Sequence, residues 1–312
     1  MSIPHQRRIT QGPGWRIPAW LGRWLLSLLI VFGTPLYFAA ELSSSAYTAS
    51  SPRSVLARLY EKSSPLRWPS AHRGAQAFGP ENSLDAVRGA AQAGIPLIEI
   101  DVRRNADGTL FLYHDRRLDG RKVSGPSQLI GRRAESLDDR ELQLLRYAGG
   151  APSPLATYAE ALDAVAPYRT TLQLDVKGEP WAVIDQAVHI AREKGQAHQI
   201  MVQCQRLSTL AYVREKFPDI AVLARAHSVA DVRKAYRKLP DIIQIEEAWI
   251  SPVLVQEIHA AGSKILVKSL DTMDTAEHWQ RLFDAGVDIV LTDKAVQMVR
   301  HLRAPPRLNG AP

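Results

Sequence analysis

Residues 97–114 read Leu97-Ile98-Glu99-Ile100-Asp101-Val102-Arg103-Arg104-Asn105-Ala106-Asp107-Gly108-Thr109-Leu110-Phe111-Leu112-Tyr113-His114. The stretch 97–103 alternates aliphatic and charged residues, the period of a strand with one apolar and one polar face. Ile98, Ile100 and Val102 share one side; Glu99, Asp101 and Arg103 share the other. A second β-like run follows at 109–114. Only Arg104 to Gly108 separates the two runs, whereas a parallel return takes about a dozen residues or more. The second run must therefore fold back as an antiparallel hairpin arm over Asn105-Ala106-Asp107-Gly108. A four-residue loop pairs Arg104 with Thr109, and so Glu99 with His114, which brings the imidazole back to the level of Glu99.

That hairpin decides the fold. Candidate strands lie at 68–72, 97–103, 109–114, 171–177, 200–205, 220–225, 242–246, 265–270 and 288–292. Helical stretches at 83–93, 158–165, 181–193, 207–216, 229–238, 252–261 and 276–285 fall between most of them, several closed by glycines such as Gly94 and Gly286. Removing the hairpin arm leaves the strand count of a (β/α)8 TIM barrel. The barrel domain is expected over 68–300. An insertion at about 116–154 carries one helix at 138–147 and covers the site, and a flexible tail runs over 301–312. Gln173, Asp175 and Lys177, Gln203 and Gln205, Gln244 and Glu246, and Lys268 all lie opposite aliphatic faces. In a barrel the aliphatic faces meet the helices, and the polar faces converge inside, near the C-terminal mouth.

Glu99, Asp101 and Asp175 then stand as three carboxylates on inward faces of adjacent strands. Oxygen ligands alone select one hard divalent cation, Mg2+ or Ca2+. Buried together without a cation, such groups repel and are costly to desolvate. The plainer alternative is a set of interior carboxylates salt-bridged to Lys177 and Arg103. His72 ends the first strand and His114 returns on the hairpin, so two imidazoles flank the acids. As general base and general acid they suit an in-line displacement at phosphorus beside a cation. Arg73 and Lys177 are placed to hold the nonbridging phosphate oxygens.

The chain has 312 residues, 46% of them hydrophobic, enough for a sizeable core, and a formal net charge of +7. The basic excess is local: Arg7, Arg8, Arg16 and Arg23 precede an apolar run, and Arg300, Arg303 and Arg307 sit near the end. No long basic block interleaved with aromatics appears between them, so no nucleic-acid partner is expected. The single cysteine, Cys204, rules out an intramolecular disulfide and reads as a buried, inert thiol. Residues 24–40 carry no charge and, extended back to 17, approach bilayer-spanning length. With arginines before it and Trp15, Trp20 and Trp24 at its edge, the segment reads as a transmembrane helix, the positive side in the cytoplasm. The expected organisation is a cytoplasmic segment and membrane anchor over 1–41 and a Ser/Ala/Pro-rich linker over 42–67 with one short helix at 55–62. The catalytic domain then lies outside the cytoplasm, periplasmic in a Gram-negative cell. The rival reading is a signal peptide cleaved after the small residues at 38–40 or 44–46, giving a secreted protein.

Taken in order, His72-Arg73-Gly74, Pro80-Glu81-Asn82-Ser83, Glu99-Ile100-Asp101-Val102, Asp107-Gly108 and His114-Asp115 resemble the glycerophosphodiester phosphodiesterase family. Asp175-Val176-Lys177 sits where that family carries Glu-x-Lys, and Gly286-Val287-Asp288 through Thr292-Asp293 looks like its closing strand. The resemblance, from 71 to 295, implies a (β/α)8 barrel of the phospholipase-C-like type, one divalent cation, and hydrolysis of a glycerophosphodiester to glycerol 3-phosphate and an alcohol. By motif match it gives His72 and His114 the acid–base roles, Glu99, Asp101 and Asp175 the metal, and Arg73 and Lys177 the phosphate. It also implies that the neighbouring glycerol hydroxyl attacks first and that water then opens a cyclic phosphate. Asp175 is one methylene shorter than the family's Glu and resembles the Asp-x-Lys of sphingomyelinase D-type phospholipases. Gln203-Cys204-Gln205 stands in place of a Ser-Phe pair, and Lys268-Ser269-Leu270 in place of a Trp-Thr motif. Asn82, Gln203, Glu246 and Lys268 are the expected pocket, with Lys268 paired to Glu246. The altered pocket and the anchor keep a second reading open, a phospholipase D-type hydrolase of lysophospholipids or membrane lipids. A barrel that binds without turnover is the third.

Overall fold

Eight parallel strands close into a barrel in the computed structural model, which describes residues 54–61, 66–148 and 153–303. In chain order the elements are α1 (Val55–Leu59), β1 (Trp68–Ala71), α2 (Leu84–Gln92), β2 (Leu97–Arg104), β3 (Leu110–Leu112), β4 (Val123–Ser124), α3 (Asp139–Gln143) and β5 (Arg146–Tyr147). They continue through α4 (Tyr158–Val165), β6 (Thr171–Val176), α5 (Pro180–Glu193), β7 (Ile200–Cys204), α6 (Leu207–Lys216), β8 (Ala221–Arg225), α7 (Val229–Ala235) and β9 (Ile242–Gln244). The last are α8 (Pro252–Ala260), β10 (Lys264–Ser269), α9 (Ala276–Asp284), β11 (Ile289–Thr292) and α10 (Ala295–Arg303). The strands run round the barrel as β1, β2, β6, β7, β8, β9, β10, β11 and back to β1, with Ser70 level with Leu97 and Trp68 level with Ile289. Each is followed by a helix, so the (β/α)8 architecture stands. The eighth helix, α10, lay unread in the sequence beyond the closing strand.

The strand alternation partitions as expected. Ile98, Ile100, Val102, Leu172, Leu174, Val202, Val222, Ile243, Val267 and Val290 join the helix-facing core. Inside, Leu97, Met201, Leu223, Ile242, Leu266, Ile289 and Leu291 fill the N-terminal end of the barrel. The short helix expected at 55–62 is present as α1, and Val55, Leu56 and Leu59 press onto that apolar set as its floor. Each such side chain contributes about 1.5–3 kcal/mol by leaving water. Arg58 fixes the helix by donating to Arg169 O (2.8 Å) and Thr171 Oγ1 (2.8 Å).

The hairpin forms, but one residue out of the expected register. β3 runs antiparallel to β2 with Arg104 opposite Leu110, Arg103 opposite Phe111 and Val102 opposite Leu112. The pairing of Arg104 with Thr109 and of Glu99 with His114 is therefore corrected. Asn105 is not a loop residue but closes the turn: its amide donates to Thr109 O (3.0 Å), and its Oδ1 accepts from Thr109 N (2.7 Å). The loop is Ala106-Asp107-Gly108, with Gly108 at φ +96° in the left-handed region such three-residue hairpins require.

The insertion is more structured than a single helix. α3 ends at Gln143, capped at its start by an Asp138–Glu141 box, and the chain then pairs as β5 with β4. The expected helix over 138–147 is shortened accordingly. Phe111, Tyr113, Leu118, Val123, Leu129, Leu137, Leu142, Leu145 and Tyr147 form a separate small core that ties the insertion to the hairpin.

The membrane placement does not stand. Among the described residues no helix is long and apolar enough to cross a membrane. The segment 17–40, on which both the anchor and the signal-peptide reading rested, lies outside the described residues. The membrane-anchored, extracytoplasmic location is withdrawn on that finding, and the membrane with it as a partner.

Candidate active site

Glu99 and Asp101 lie on the inner face of β2, and Asp175 on that of β6, level with Asp101. All three are buried, and one oxygen from each lies within 4.8 Å of the others. The Arg73 amide donates to Glu99 Oε2 at 2.8 Å. Burial first, then the charges of Asp101 and Asp175, push the Glu99 carboxyl well above its ordinary range, against the Arg73 bond and Lys177. Burial also works against the Asp101 carboxylate, but Lys177, His114 and the Asn82 amide outweigh it and hold that group low. Lys177 Nζ bridges two of the acids, 2.9 Å from Asp101 Oδ1 and 2.7 Å from Asp175 Oδ2. It is held protonated because those two charges exceed the cost of its burial. Gln205 Nε2 donates to the other oxygen of Asp175 at 2.8 Å.

Asn82 works from behind. Its side chain donates to Asp101 Oδ2 and accepts from the Asp101 amide, both at 2.9 Å, while its backbone sits at φ +61°. It is fully buried and fixes the carboxylate rather than lining a pocket. Arg73 Nε lies 3.5 Å from Asp101 Oδ2, and its Nη1 donates to Glu81 at 2.8 Å. Glu81 also meets Lys122 of the insertion (2.9 Å), and Lys122 meets Asp115 (2.8 Å). The insertion thus reaches the mouth through a row of alternating charges.

The two imidazoles have matching environments. His72 Nδ1 lies 2.8 Å from Asp293 Oδ1, and His114 Nδ1 lies 2.6 Å from Asp115 Oδ1. Asp293 follows β11, beside β1 in the closed barrel, and its bond to His72 is the first cause holding its carboxyl low. Asp274 shapes the turn that presents it, accepting from Thr292 Oγ1 (2.6 Å) and from the amides of Asp293 (3.0 Å) and Lys294 (3.2 Å). His114 is close enough to Asp101 for its charge to act on that carboxyl. Arg103 secures the strand carrying it: Nε donates to Tyr113 O (2.9 Å), Nη2 to His114 O (2.6 Å), and Nη1 pairs with Glu135 of the insertion. The plainer alternative of the sequence reading, Arg103 as partner to the interior acids, is thus replaced by a clamp on the hairpin.

Of the remaining expected residues, Gln203 lies deeper, accepting from Gln173 Nε2 at 2.7 Å between floor and mouth. Lys268 is half-buried on the inner face of β10. Glu246 is exposed, and the expected Lys268–Glu246 pair does not form among the described residues. Cys204 is buried, and burial pushes its thiol up to about 12, an inert state. Asp293, Arg103, Asp115 and Glu81 were not singled out as site residues. The motifs Thr292-Asp293 and His114-Asp115 held the only signal for two of them.

Residues 72–297 match the glycerophosphoryl diester phosphodiesterase family. The probable glycerophosphodiester phosphodiesterase 2 of Mycobacterium tuberculosis is 27% identical over 259 residues, 77% of this chain and 92% of that protein. A phosphodiesterase of Oleispira antarctica, solved in complex with the product sn-glycerol-3-phosphate, superposes with a TM-score of 0.64 at 22% identity, over 77% of this chain and 98% of its own. The glycerophosphodiester phosphodiesterase of Agrobacterium tumefaciens gives a TM-score of 0.62 at 22% identity, over 75% of this chain and all of that one (100%). The matched span covers β2, the hairpin, the insertion and the closing strand, so the chain belongs to the glycerophosphoryl diester phosphodiesterase family and is an enzyme of the phosphodiester hydrolase class.

Proposed function

We propose that this chain hydrolyses a glycerophosphodiester to glycerol 3-phosphate and an alcohol, with one divalent cation, Mg2+ or Ca2+, held by Glu99, Asp101 and Asp175. The observation that carries this reading is the placement of two imidazoles, each tied at Nδ1 to a carboxylate, at the rim that holds the buried acidic trio. The trio fits such an ion. It offers oxygen alone, and Asp101 Oδ1 is buried without a hydrogen-bond partner although Lys177 lies beside it. When bound, the cation supplies charge to a phosphoryl oxygen and lowers the cost of crowding the three acids.

The protein's own groups do the rest. A carboxylate at Nδ1 holds each imidazole in the tautomer whose Nε2 is free to accept a proton, and steadies the imidazolium once it has done so. One histidine takes the proton of the glycerol hydroxyl next to the phosphate. The other gives its proton to the oxygen of the departing alcohol. Opening of the resulting cyclic phosphate by water uses the two in reversed roles. Arg73 and Lys177 lie against the same carboxylates, so a phosphate brought there meets both cations.

The test is release of glycerol 3-phosphate from glycerophosphocholine and related diesters by the purified full chain, with Mg2+ or Ca2+ and after EDTA. Hydrolysis abolished by EDTA and by His72→Ala supports the reading. A metal-supplied, folded protein inert toward every diester in the panel refutes it. Of the two motives for the lysophospholipid alternative, the anchor is withdrawn and the altered pocket at Gln203 and Lys268 stays, while family membership counts against a barrel without turnover.

A further inference from the structure

Three consecutive strands, β8, β9 and β10, carry inward polar groups that the chemistry above leaves unused. Arg225 ends β8, level with Gln244 at the end of β9, and Lys268 stands on β10. None of the three is fully partnered among the described residues. Lys268 makes no ion pair or hydrogen bond among the described residues. Arg225 reaches only Gln205 Oε1, at 3.5 Å, and its Nε is buried without a partner. Gln244 is 2% exposed, and its Oε1 also lacks one. A buried polar atom without a partner is rare and costly; Arg225 Nε and Gln244 Oε1 are two of them on adjoining strands, beside a half-buried ammonium at Lys268 that has no partner among the described residues.

Nor do the cations relieve each other. Burial first, then the charge of Arg225, holds the Lys268 ammonium below its ordinary value, with Glu99 and Asp175 pulling the other way. Those acids are committed to Lys177 and to the proposed cation. A dication and a singly charged diester together bring net positive charge into the mouth, so ordinary substrate binding enlarges the surplus at Lys268 and Arg225.

We propose that Lys268 and Arg225 form a second anion subsite that selects diesters whose alcohol half carries its own phosphate or carboxylate. This rests on the diesterase reading and names the substrate class of that same site. The unsubstituted glycerol half offers only hydroxyls, so the second anion belongs to the alcohol. Gln244, between the two cations on the neighbouring strand, is an acceptor for a hydroxyl on the same group.

The experiment compares glycerophosphoglycerol with the same diester bearing a terminal phosphate on the released glycerol. The full chain is used with its activating cation, and glycerophosphocholine is the third arm. The expected result is a kcat/KM preference of about tenfold or more for the phosphate-bearing diester, expressed in KM, with the choline ester poorest. Lys268→Met and Arg225→Met should each carry that ratio most of the way to one, with the loss falling on the anionic substrate. Thermal unfolding checks that each variant is folded. A wild-type ratio near one overturns the proposal without any variant. So does a ratio that survives both substitutions, or an equal loss on both diesters, which would place the two cations on the scissile phosphoryl instead. If none of the three diesters is hydrolysed, it is the diesterase reading that has failed.

Discussion

The two ends of the barrel are built from the same strands and share almost nothing else. On β2, Leu97 belongs to the floor, while Glu99 and Asp101, two and four residues further on, belong to the mouth. β7 gives Met201 below and Gln203 above; β10 gives Leu266 below and Lys268 above. The floor is apolar except where Thr171 takes the Arg58 guanidinium, and is sealed by Val55, Leu56 and Leu59. The mouth gathers three buried carboxylates, a bridging lysine and two histidine–carboxylate pairs. Self-repulsion at the mouth is tolerated because the floor and the helix-facing core hold the strands in register. Stability and chemistry are thereby assigned to opposite ends of each strand, and substitutions should separate them.

The largest effects belong to the mouth. His72→Ala or His114→Ala should lower kcat by about 10²–10⁴-fold, while shifting Tm by no more than about 2–4 °C. Parallel activity assays and thermal melts check this, and a matching collapse of stability would erase the division between the two ends. The floor should give the converse. Leu59→Ala is expected to cost about 2–5 kcal/mol of unfolding free energy, read by denaturant titration. The kcat of the folded fraction should stay within about twofold of the parent. A large loss of kcat there would show that the floor sets the geometry of the acids above it.

A smaller effect tests the support behind one imidazole. Asp293→Asn keeps an acceptor for His72 Nδ1–H but removes the charge that steadies the imidazolium, so kcat should fall about tenfold. The same pair sets a pH dependence. Asp293 has its carboxyl lowered in the folded state from the ordinary 3.8. Its contribution to stability is therefore complete above that value and is lost as pH falls through the lowered one. Acid melts of the parent should lose stability more steeply in that range than those of Asp293→Asn; coincident curves would mean the pair adds nothing to the fold.

The barrel was legible because one loop was too short. Five residues between two strands exclude a parallel return, and that arithmetic alone turned nine strands into eight. The acidic trio was equally plain, since a period of two puts Glu99, Asp101 and Asp175 on inner faces wherever the aliphatic neighbours go outward. Other features depend on partners that local pattern does not name. Arg103 finds Glu135 in the insertion, 32 residues on, and His72 finds Asp293 221 residues on. α10 went unread as a helix, with only 301–303 counted in the tail, because Arg300, His301 and Arg303 dominate its end, although Ala295, Met298 and Val299 bury its other face. The helix at 55–62 was legible, but its place as the barrel's floor was not, because the Ser/Ala/Pro-rich stretch around it resembles a tether. The hairpin register failed by one residue because loop length was counted without the Asn105 side chain that closes the turn.

That turn supplies the finest test of how tightly the mouth depends on its surroundings. Gly108 occupies φ +96°, and a Cβ there would meet only the end of the Arg104 side chain, 3.1 Å away at Nη2. A flexible guanidinium can move aside, so the cost of Gly108→Ala is backbone strain, about 1 kcal/mol or somewhat more. The strained loop lies at one end of β3 and His114 beyond the other. Between them Arg103 grips the carbonyls of both Tyr113 and His114. With that clamp intact, the substitution should lower Tm by a few degrees and leave kcat within about threefold of the parent. In an Arg103→Met background the same glycine substitution should cost distinctly more kcat than it does alone, a coupling that a double-mutant cycle reads directly. Additive effects on kcat would show that the hairpin holds His114 in place without Arg103.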